Sequence, residues 1–439
     1  MNLIKKGLSD SGYYLIANIG NKALAFLVIP ILAKTVGVEA FATYDLFLVI
    51  SGFFHILVIL GIDSGIAILL AESKDDEEKL SFFYLSTLLI SLSIILLTSL
   101  ILSFIFLYID ELFFLKREIW TYIGFYVLFM MINYHTFNFL RWRERAKEAS
   151  FVSLFSYIMG MSVGLYFLYT EKRIEAYLQG LVIGLFLGTL LSLYISRTYI
   201  LNFKILNNSK ELLKELFRLS LPFVPNYLGH NLMQMADRVV ILLLFGKYEL
   251  GLYAVITKLA MIPQIIMGTA TGGFLPVMFR NYDTPEGKVL IKNFFHLYLL
   301  LIPIAFFIAY LIADWAVVLF GGVDYLEVAY LFPMALVSIL FVQSSQANGF
   351  GYSIKRKTHY IMYITFFAVA LNYIFSLFFG YLIGLEGIIL GTLLAGIVKT
   401  YIYTLYSEKL YAFDYSFKLM MWVTLSCLLL VILTGKGMA

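Results

Sequence analysis

Long apolar runs separated by short charged breaks make up nearly the whole chain. They cover 13–33, 44–70, 82–107, 119–140, 150–169, 176–196, 222–244, 251–279, 293–312, 326–350, 359–379 and 386–406, and a shorter one covers 419–434. A helix crossing a hydrocarbon layer about 30 Å thick needs roughly 20 apolar residues. The pattern therefore predicts an all-α integral membrane protein with twelve spans and a short thirteenth apolar segment near the C-terminus. The first run reads as a span and not as a cleaved leader, because it exceeds an apolar region of about 7–15 residues and carries Lys22 at its centre.

The basic residues orient these spans. With the N-terminus in the cytoplasm, the inside segments hold 21 Lys or Arg and the outside segments seven, while Lys22, Arg238, Lys258 and Lys399 lie within spans. Such a bias in short loops fixes topology by the positive-inside rule. Tyr108, Trp120 and Trp315 then fall at outer boundaries, where amphipathic rings are favoured.

The longest inside loop, 197–221, carries Arg197, Lys204, Lys210, Lys214 and Arg218 and divides the spans six and six. The domains expected are an N-terminal lobe 1–200, a cytoplasmic linker 201–221, a C-terminal lobe 222–412 and an extra membrane segment 413–439. An offset of 209 residues superposes Gly37–Tyr44 on Gly246–Tyr253, and a two-residue slip superposes Gly61-x-x-x-Gly65 on Gly268-x-x-x-Gly272. A Gly-x-x-x-Gly pair in a membrane helix is first a packing face. Six spans per half give both halves one orientation, so the repeat is parallel and the fold is two pseudo-symmetric six-helix lobes. Seven of the eight prolines lie in or at the ends of spans, where they permit bending.

Composition narrows the function. The chain of 439 residues is 61% hydrophobic and 14% charged, too little polar surface for a soluble enzyme. One cysteine, Cys427, excludes a disulfide framework, and a net charge of +4 does not suggest nucleic acid. No two of the five histidines stand three or four apart, so no helical metal pair is expected. Gly246-Lys247 and Gly287-Lys288 lack the remainder of a P-loop, so neither ATP hydrolysis nor a cofactor is expected. The outside segments are too short for a catalytic domain, which argues against an enzyme.

Charge inside a bilayer costs about 2.5–3.5 kcal/mol per residue and commonly faces a cavity. In the seventh span Asn226, His230, Gln234 and Asp237 share an arc of about 80°, with Arg238 at its border. A water-lined lumen face explains this stripe; interhelical hydrogen bonding is the alternative. In the first span Asn18 and Lys22 share a face, and Lys22 is about 15 Å from either end, beyond the reach of snorkelling. It requires an anion or a carboxylate within the protein. Arg238, Lys258 and Lys399 lie nearer span ends, where snorkelling competes with an inward role. Asp63 and Asp237 are the carboxylates well inside spans and are candidates for coupling to protons or sodium.

Several stretches resemble a known family. Leu219-Ser-Leu-Pro222-Phe-Val-Pro225, Met235-Ala-Asp237-Arg238-Val-Val-Ile and Gly251-Leu-Tyr253-Ala-Val-Ile-Thr-Lys258 look like the central signature of polysaccharide transporters of the Wzx O-antigen flippase type. Gly351-Tyr-Ser-Ile-Lys355, Leu371-Asn372-Tyr and Gly387-Ile-Ile-Leu-Gly391-Thr fit the same pattern, as do Gly37–Tyr44 and Arg141–Lys147. That family shares the MOP superfamily with MATE drug exporters and the lipid II flippase MurJ. The resemblance implies a flippase of the bacterial cytoplasmic (inner) membrane that moves an undecaprenyl-pyrophosphate-linked O-antigen or capsule repeat unit between leaflets by alternating access. It implies membrane lipid, a polysaccharide polymerase and a chain-length regulator as partners. On this reading Lys22, Arg238, Lys258 and Lys399 hold the anion, Asn18, Asn226, His230 and Gln234 contact sugar or phosphate, and Arg141 guides substrate at the inner mouth. A MATE-type drug or metabolite exporter and a lipid II flippase are rivals within the fold, and a membrane polysaccharide polymerase is the rival from another class.

Overall fold

The computed structural model describes residues 3–72, 76–112, 114–201, 209–355, 357 and 359–435. The helices are α1 (Leu3–Val36), α2 (Val38–Ile59), α3 (Ile62–Glu72), α4 (Glu77–Ile105), α5 (Arg117–Trp142), α6 (Ala146–Glu171), α7 (Ile174–Leu201), α8 (Ser209–Ser220), α9 (Val224–Leu244), α10 (Lys247–Asn281), α11 (Pro285–Phe320), α12 (Phe332–Gln343), α13 (Ser345–Asn348), α14 (Phe350–Ile354), α15 (His359–Leu410) and α16 (Phe417–Thr434). A short antiparallel hairpin, β1 (Glu111–Leu112) with β2 (Leu115–Lys116), joins α4 to α5.

Among the described residues, eleven helical stretches are long and apolar enough to cross a membrane. The difference from the expected count has two sources. The runs 359–379 and 386–406 are fused into α15, which breaks at Ile383 (φ −133°) and at Gly384 (φ +70°), a left-handed conformation suited to glycine. The seventh span, α9, drops out because Asn226, His230, Asn231, Gln234, Asp237 and Arg238 dilute its apolar character. Two other runs are discontinuous. Leu60 and Gly61 both take positive φ, so 44–70 becomes α2 and α3. The run 326–350 becomes a 3-10 stretch, Val323–Leu331, followed by α12, α13 and α14.

The apolar outer surface matches lipid. Leu96, Leu97, Leu100, Ile101 and Phe104 of α4 are all at least 50% exposed. Tyr108 and Trp315 are exposed at 75% and 66%, as boundary residues should be, but Trp120 is only 6% exposed. Its indole N–H donates to Leu112 O (3.1 Å), so it pins the hairpin and does not anchor an interface.

The chain forms two compact units, 1–36 with 43–228, and 37–42 with 229–439. Their boundary lies inside α9, beyond the linker expected at 201–221. Of that linker, 202–208 lie outside the described residues, whereas 209–220 fold as α8 and pack on α3 in the first unit. Leu216 and Ser220 are buried there, and a Cβ on Gly61 would lie 2.6 Å from Ser220 O. Gly61 and Gly65 are thus a packing face; in the second repeat, Gly268 and Gly272 lie outside the residues whose side-chain environment is described.

Each unit contains a seam of small residues that lets two backbones approach closely. In the first, Gly180, Gly184 and Gly188 of α7 lie against α6; a Cβ on Gly184 would sit 2.6 Å from Gly160 Cα, and one on Gly188 would sit 2.6 Å from Ser156 Cα. In the second, the two halves of α15 fold back on one another, so that a Cβ on Gly391 would lie 2.8 Å from Ser376 Cα. Gly180, Gly184 and Gly188 precede Gly387, Gly391 and Ala395 by 207 residues, so the duplication read from sequence reappears as the same packing device. Gly184→Leu is expected to force α6 from α7 and to lower stability by about 1–3 kcal/mol or more. Thermal unfolding of the detergent-solubilised protein, followed by loss of the monodisperse gel-filtration peak, measures this.

Candidate functional site

The polar stripe of α9 leads to a buried network in the second unit. Asp237 is 5% exposed. Its Oδ1 accepts from Thr392 Oγ1 (2.6 Å) and Asn372 Nδ2 (3.2 Å), and its Oδ2 accepts from the Tyr253 hydroxyl. Asn372 Oδ1 in turn stands near Ser376 Oγ (3.1 Å) and Thr392 Oγ1 (3.0 Å). Thr392 carries one hydroxyl proton yet lies within hydrogen-bond distance of three acceptors: Asp237 Oδ1, Asn372 Oδ1 and Ile388 O (3.1 Å). That proton serves one acceptor well. The other acceptors have donors of their own, Asn372 Nδ2 for Asp237 Oδ1 and Ser376 Oγ for Asn372 Oδ1, so the buried carboxylate sits in a closed hydrogen-bond network.

Local sequence explains how the cluster assembles. Asp237 lies on α9 one turn after Gln234 and beside Ala236, whose small side chain is fully buried. The seam of α15 brings Asn372 and Ser376 on one half against Thr392 on the other, one residue beyond Gly391.

Arg238, 5% exposed, donates from Nη1 to Gln234 O (2.7 Å) and lies 5.9 Å from the Tyr253 ring centroid. His230 is exposed, and its Nε2 lies 3.1 Å from Gln234 Nε2. His230, Gln234, Asp237, Arg238, Tyr253 and Thr392 help line a cavity of about 50 Å³. This volume holds a few waters and is too small for a sugar ring.

Of the other cations named from sequence, Lys399 stands beside this cavity, since Val342, whose carbonyl it meets, is one of the lining residues. Lys399 is buried, and its Nζ donates to Val342 O (3.0 Å), near the C-terminal end of α12. Neighbouring hydroxyls and an amide of the same two segments continue this contact. Thr400 donates to Phe341 O (3.0 Å), Ser344 bonds Thr400 (2.7 Å), Asn348 donates to Thr404 (2.8 Å), and Ser407 accepts from Gly351 N (3.2 Å). Lys399 thus serves here as a cap for broken helical backbone, which neither snorkelling nor an anion site anticipated. Lys258 is half-buried on α10 and does not line the cavity.

In the first unit Lys22 is exposed and meets no carboxylate among the described residues. The side chain of Asn18 lies outside the described residues; Asn21, one residue before Lys22, donates to Ser153 (2.9 Å). Asp63 is half-buried and accepts from the Tyr134 hydroxyl (2.8 Å). Arg141 is exposed at the end of α5 with its guanidinium 5.2 Å from the Trp142 ring centroid. Asn226 is half-buried in the first turn of α9.

Sequence reasoning missed Tyr253, Asn372 and Thr392 as partners of Asp237, and Ser376 as a partner of Asn372. Three of them stood in the quoted family stretches, which was the available signal.

Residues 8–282 match the sequence model of the family described as "Polysaccharide biosynthesis protein". An uncharacterized membrane protein of Haemophilus influenzae is 23% identical over 351 residues, 77% of this chain and 80% of that protein. Among solved structures, the inward-facing conformation of a multidrug resistance MATE family transporter of the MOP superfamily is similar with a TM-score of 0.67 and 18% identity, covering 90% of this chain and 95% of that one. The outward-facing conformation of a multidrug resistance MATE family transporter is similar with a TM-score of 0.55 and 17% identity, covering 91% and 94%. The fold is therefore the all-α membrane fold of MATE transporters.

Asn372→Leu deprives Asp237 and Ser376 of a partner and is expected to destabilise the chain by about 1–3 kcal/mol. Asn226→Leu, at a half-buried position without a hydrogen bond among the described residues, is expected to change stability little. Paired melting curves in one detergent compare the two.

Proposed function

Because the chain belongs to the polysaccharide biosynthesis protein family, we propose that it is a transporter that flips an undecaprenyl-pyrophosphate-linked oligosaccharide, an O-antigen or capsule repeat unit, across the cytoplasmic membrane. The family match over 8–282 carries this reading. The chemistry supports it. A pyrophosphate-sugar head needs cations and hydrogen-bond donors in a wet path, while its polyprenyl tail stays in lipid. Within spans stand four bases, Lys22, Arg238, Lys258 and Lys399, of which Arg238 and Lys399 are buried, and four carboxylates, Asp45, Asp63, Asp237 and Glu386, of which Asp45, Asp237 and Glu386 are buried.

In the proposed cycle Arg238, beside the polar faces of His230 and Gln234, receives the pyrophosphate as its cavity widens, and Asn18 and Asn226 contact sugar or phosphate. Lys22 and Arg141 attract the anion from the cytoplasmic side, and Lys258 and Lys399 contribute when their present contacts open. Asp237 is the coupling group. Protonation of its buried carboxylate, or sodium held by the Asp237, Asn372 and Thr392 oxygens, favours one state, and loss of that cation favours another. A ligand shifts such an equilibrium only by its differential affinity for the two states. The N-terminus lies in the cytoplasm on this proposal, and a polymerase and chain-length regulator act on the flipped product.

The test is complementation of a strain lacking this chain, scored by surface glycan. Arg238→Ala and Lys22→Ala are each expected to cut glycan display at least tenfold at wild-type membrane levels, and unchanged display in both refutes the cationic path. Asp237→Asn keeps the hydrogen-bonded shape but is expected to abolish the dependence of flipping in proteoliposomes on a proton or sodium gradient. Restored drug resistance without glycan export would assign the exporter reading instead.

A further inference from the structure

A groove in the first unit, away from the α9 network, runs between α4 and α5 below the β1–β2 hairpin. Its volume is about 310 Å³, and its walls are the facing stripes of the two helices. Leu96 and Leu128 make the deeper part apolar, and Arg117 stands at the hairpin end. Gly124 leaves the wall open: a Cβ placed there would meet nothing within 4 Å.

Three features distinguish this groove from an ordinary lipid-facing wall. Arg117 is exposed and has no carboxylate partner among the described residues, and it begins α5, whose first N–H groups add partial positive charge. Lys116 precedes it at the N-cap. Ser99 and Ser103 line the groove one helical turn apart, and neither hydroxyl has a hydrogen bond among the described residues. Ser93 and Thr98 of the same helix bond back to Leu89 O (2.8 Å) and Ile94 O (3.0 Å), the usual way for a hydroxyl to satisfy itself in lipid.

An order of groups follows along the groove: cation at the membrane boundary, two free hydroxyl donors beneath it, then hydrocarbon. A glycerophospholipid has the complementary order of phosphate, ester carbonyls and acyl chain. A polyprenyl phosphate lacks the ester carbonyls and leaves Ser99 and Ser103 unmet. We propose that the α4–α5 groove binds an anionic glycerophospholipid of the leaflet at the hairpin end, with its phosphate on Arg117, its ester carbonyls on Ser103 and Ser99, and one acyl chain passing Gly124 between Leu96 and Leu128. Bound lipid then bridges the two helices beside the hairpin and the Phe106–Trp120 contact.

The test uses the full chain in nanodiscs of mixed phosphatidylglycerol and phosphatidylethanolamine, with retained lipid read by native mass spectrometry after detergent release. Wild type is expected to retain phosphatidylglycerol preferentially. Arg117→Gln is expected to lower that retention about fivefold, the effect of one basic residue at an anionic membrane surface. Ser99→Ala with Ser103→Ala is expected to weaken both lipids alike, and Gly124→Leu, which fills open space, to exclude both while the melting temperature holds. Equal retention of the two lipids by wild type, no effect of Arg117→Gln, or displacement of phosphatidylglycerol by equimolar undecaprenyl phosphate each overturns the proposal.

Discussion

In hydrocarbon there is no water to satisfy a polar group, so every freed backbone carbonyl or buried side chain must find its partner within the protein. This constraint organises both units. It is met most visibly where 332–354 breaks into α12, α13 and α14, because each interruption releases backbone groups at membrane depth. The second half of α15 answers them with Lys399, Thr400 and Ser407, and in the same row Thr404 accepts from the Asn348 side chain. The interruption and the row depend on each other, and neither tolerates an apolar environment alone.

The first unit solves the same problem with side-chain hubs. Asn133 of α5 donates to Thr189 (3.1 Å) and accepts from Ser156 (3.2 Å) and Ser192, while the Tyr84 hydroxyl sits between Thr136 (2.8 Å) and Ser196 (2.7 Å). These contacts join α4, α5, α6 and α7, and they close only because glycines bring α6 and α7 together. Small residues and polar hubs are therefore one device: the first sets the distance at which the second makes contact. The Asp237 cluster follows the same plan with a buried carboxylate at its centre.

Much of the fold was legible in the chain because burial in lipid writes itself as apolar runs. Positions of the spans, the duplicated halves and the packing role of Gly61 and Gly65 all follow from such patterns. The break at Leu60–Gly61 was not legible, since two residues of left-handed backbone leave a hydropathy run unchanged. Trp120 was misplaced because an aromatic ring near a boundary reads the same whether it faces lipid or covers a hairpin. In the site, Asp237 and Arg238 stood out by charge. Asn372 and Thr392 did not, being neutral and separated from Asp237 by 135 and 155 residues. Lys399 shows the limit of reading charge alone, because a buried amine meets its need equally at a carbonyl or at an anion.

The turn at Ile383–Gly384 bears on how the chain is made. It reverses α15 within two residues, so its halves have almost no connecting loop and lie in contact through Gly387 and Gly391. A half released singly from the insertion machinery would present Asn372 and Ser376, or Thr392 and Lys399, to bare lipid. Paired, the halves cover most of these groups before any other helix arrives. Residues 359–410 are thus a hairpin whose halves satisfy one another's polar groups through local contacts and offer Asp237 of α9 a ready-made seat.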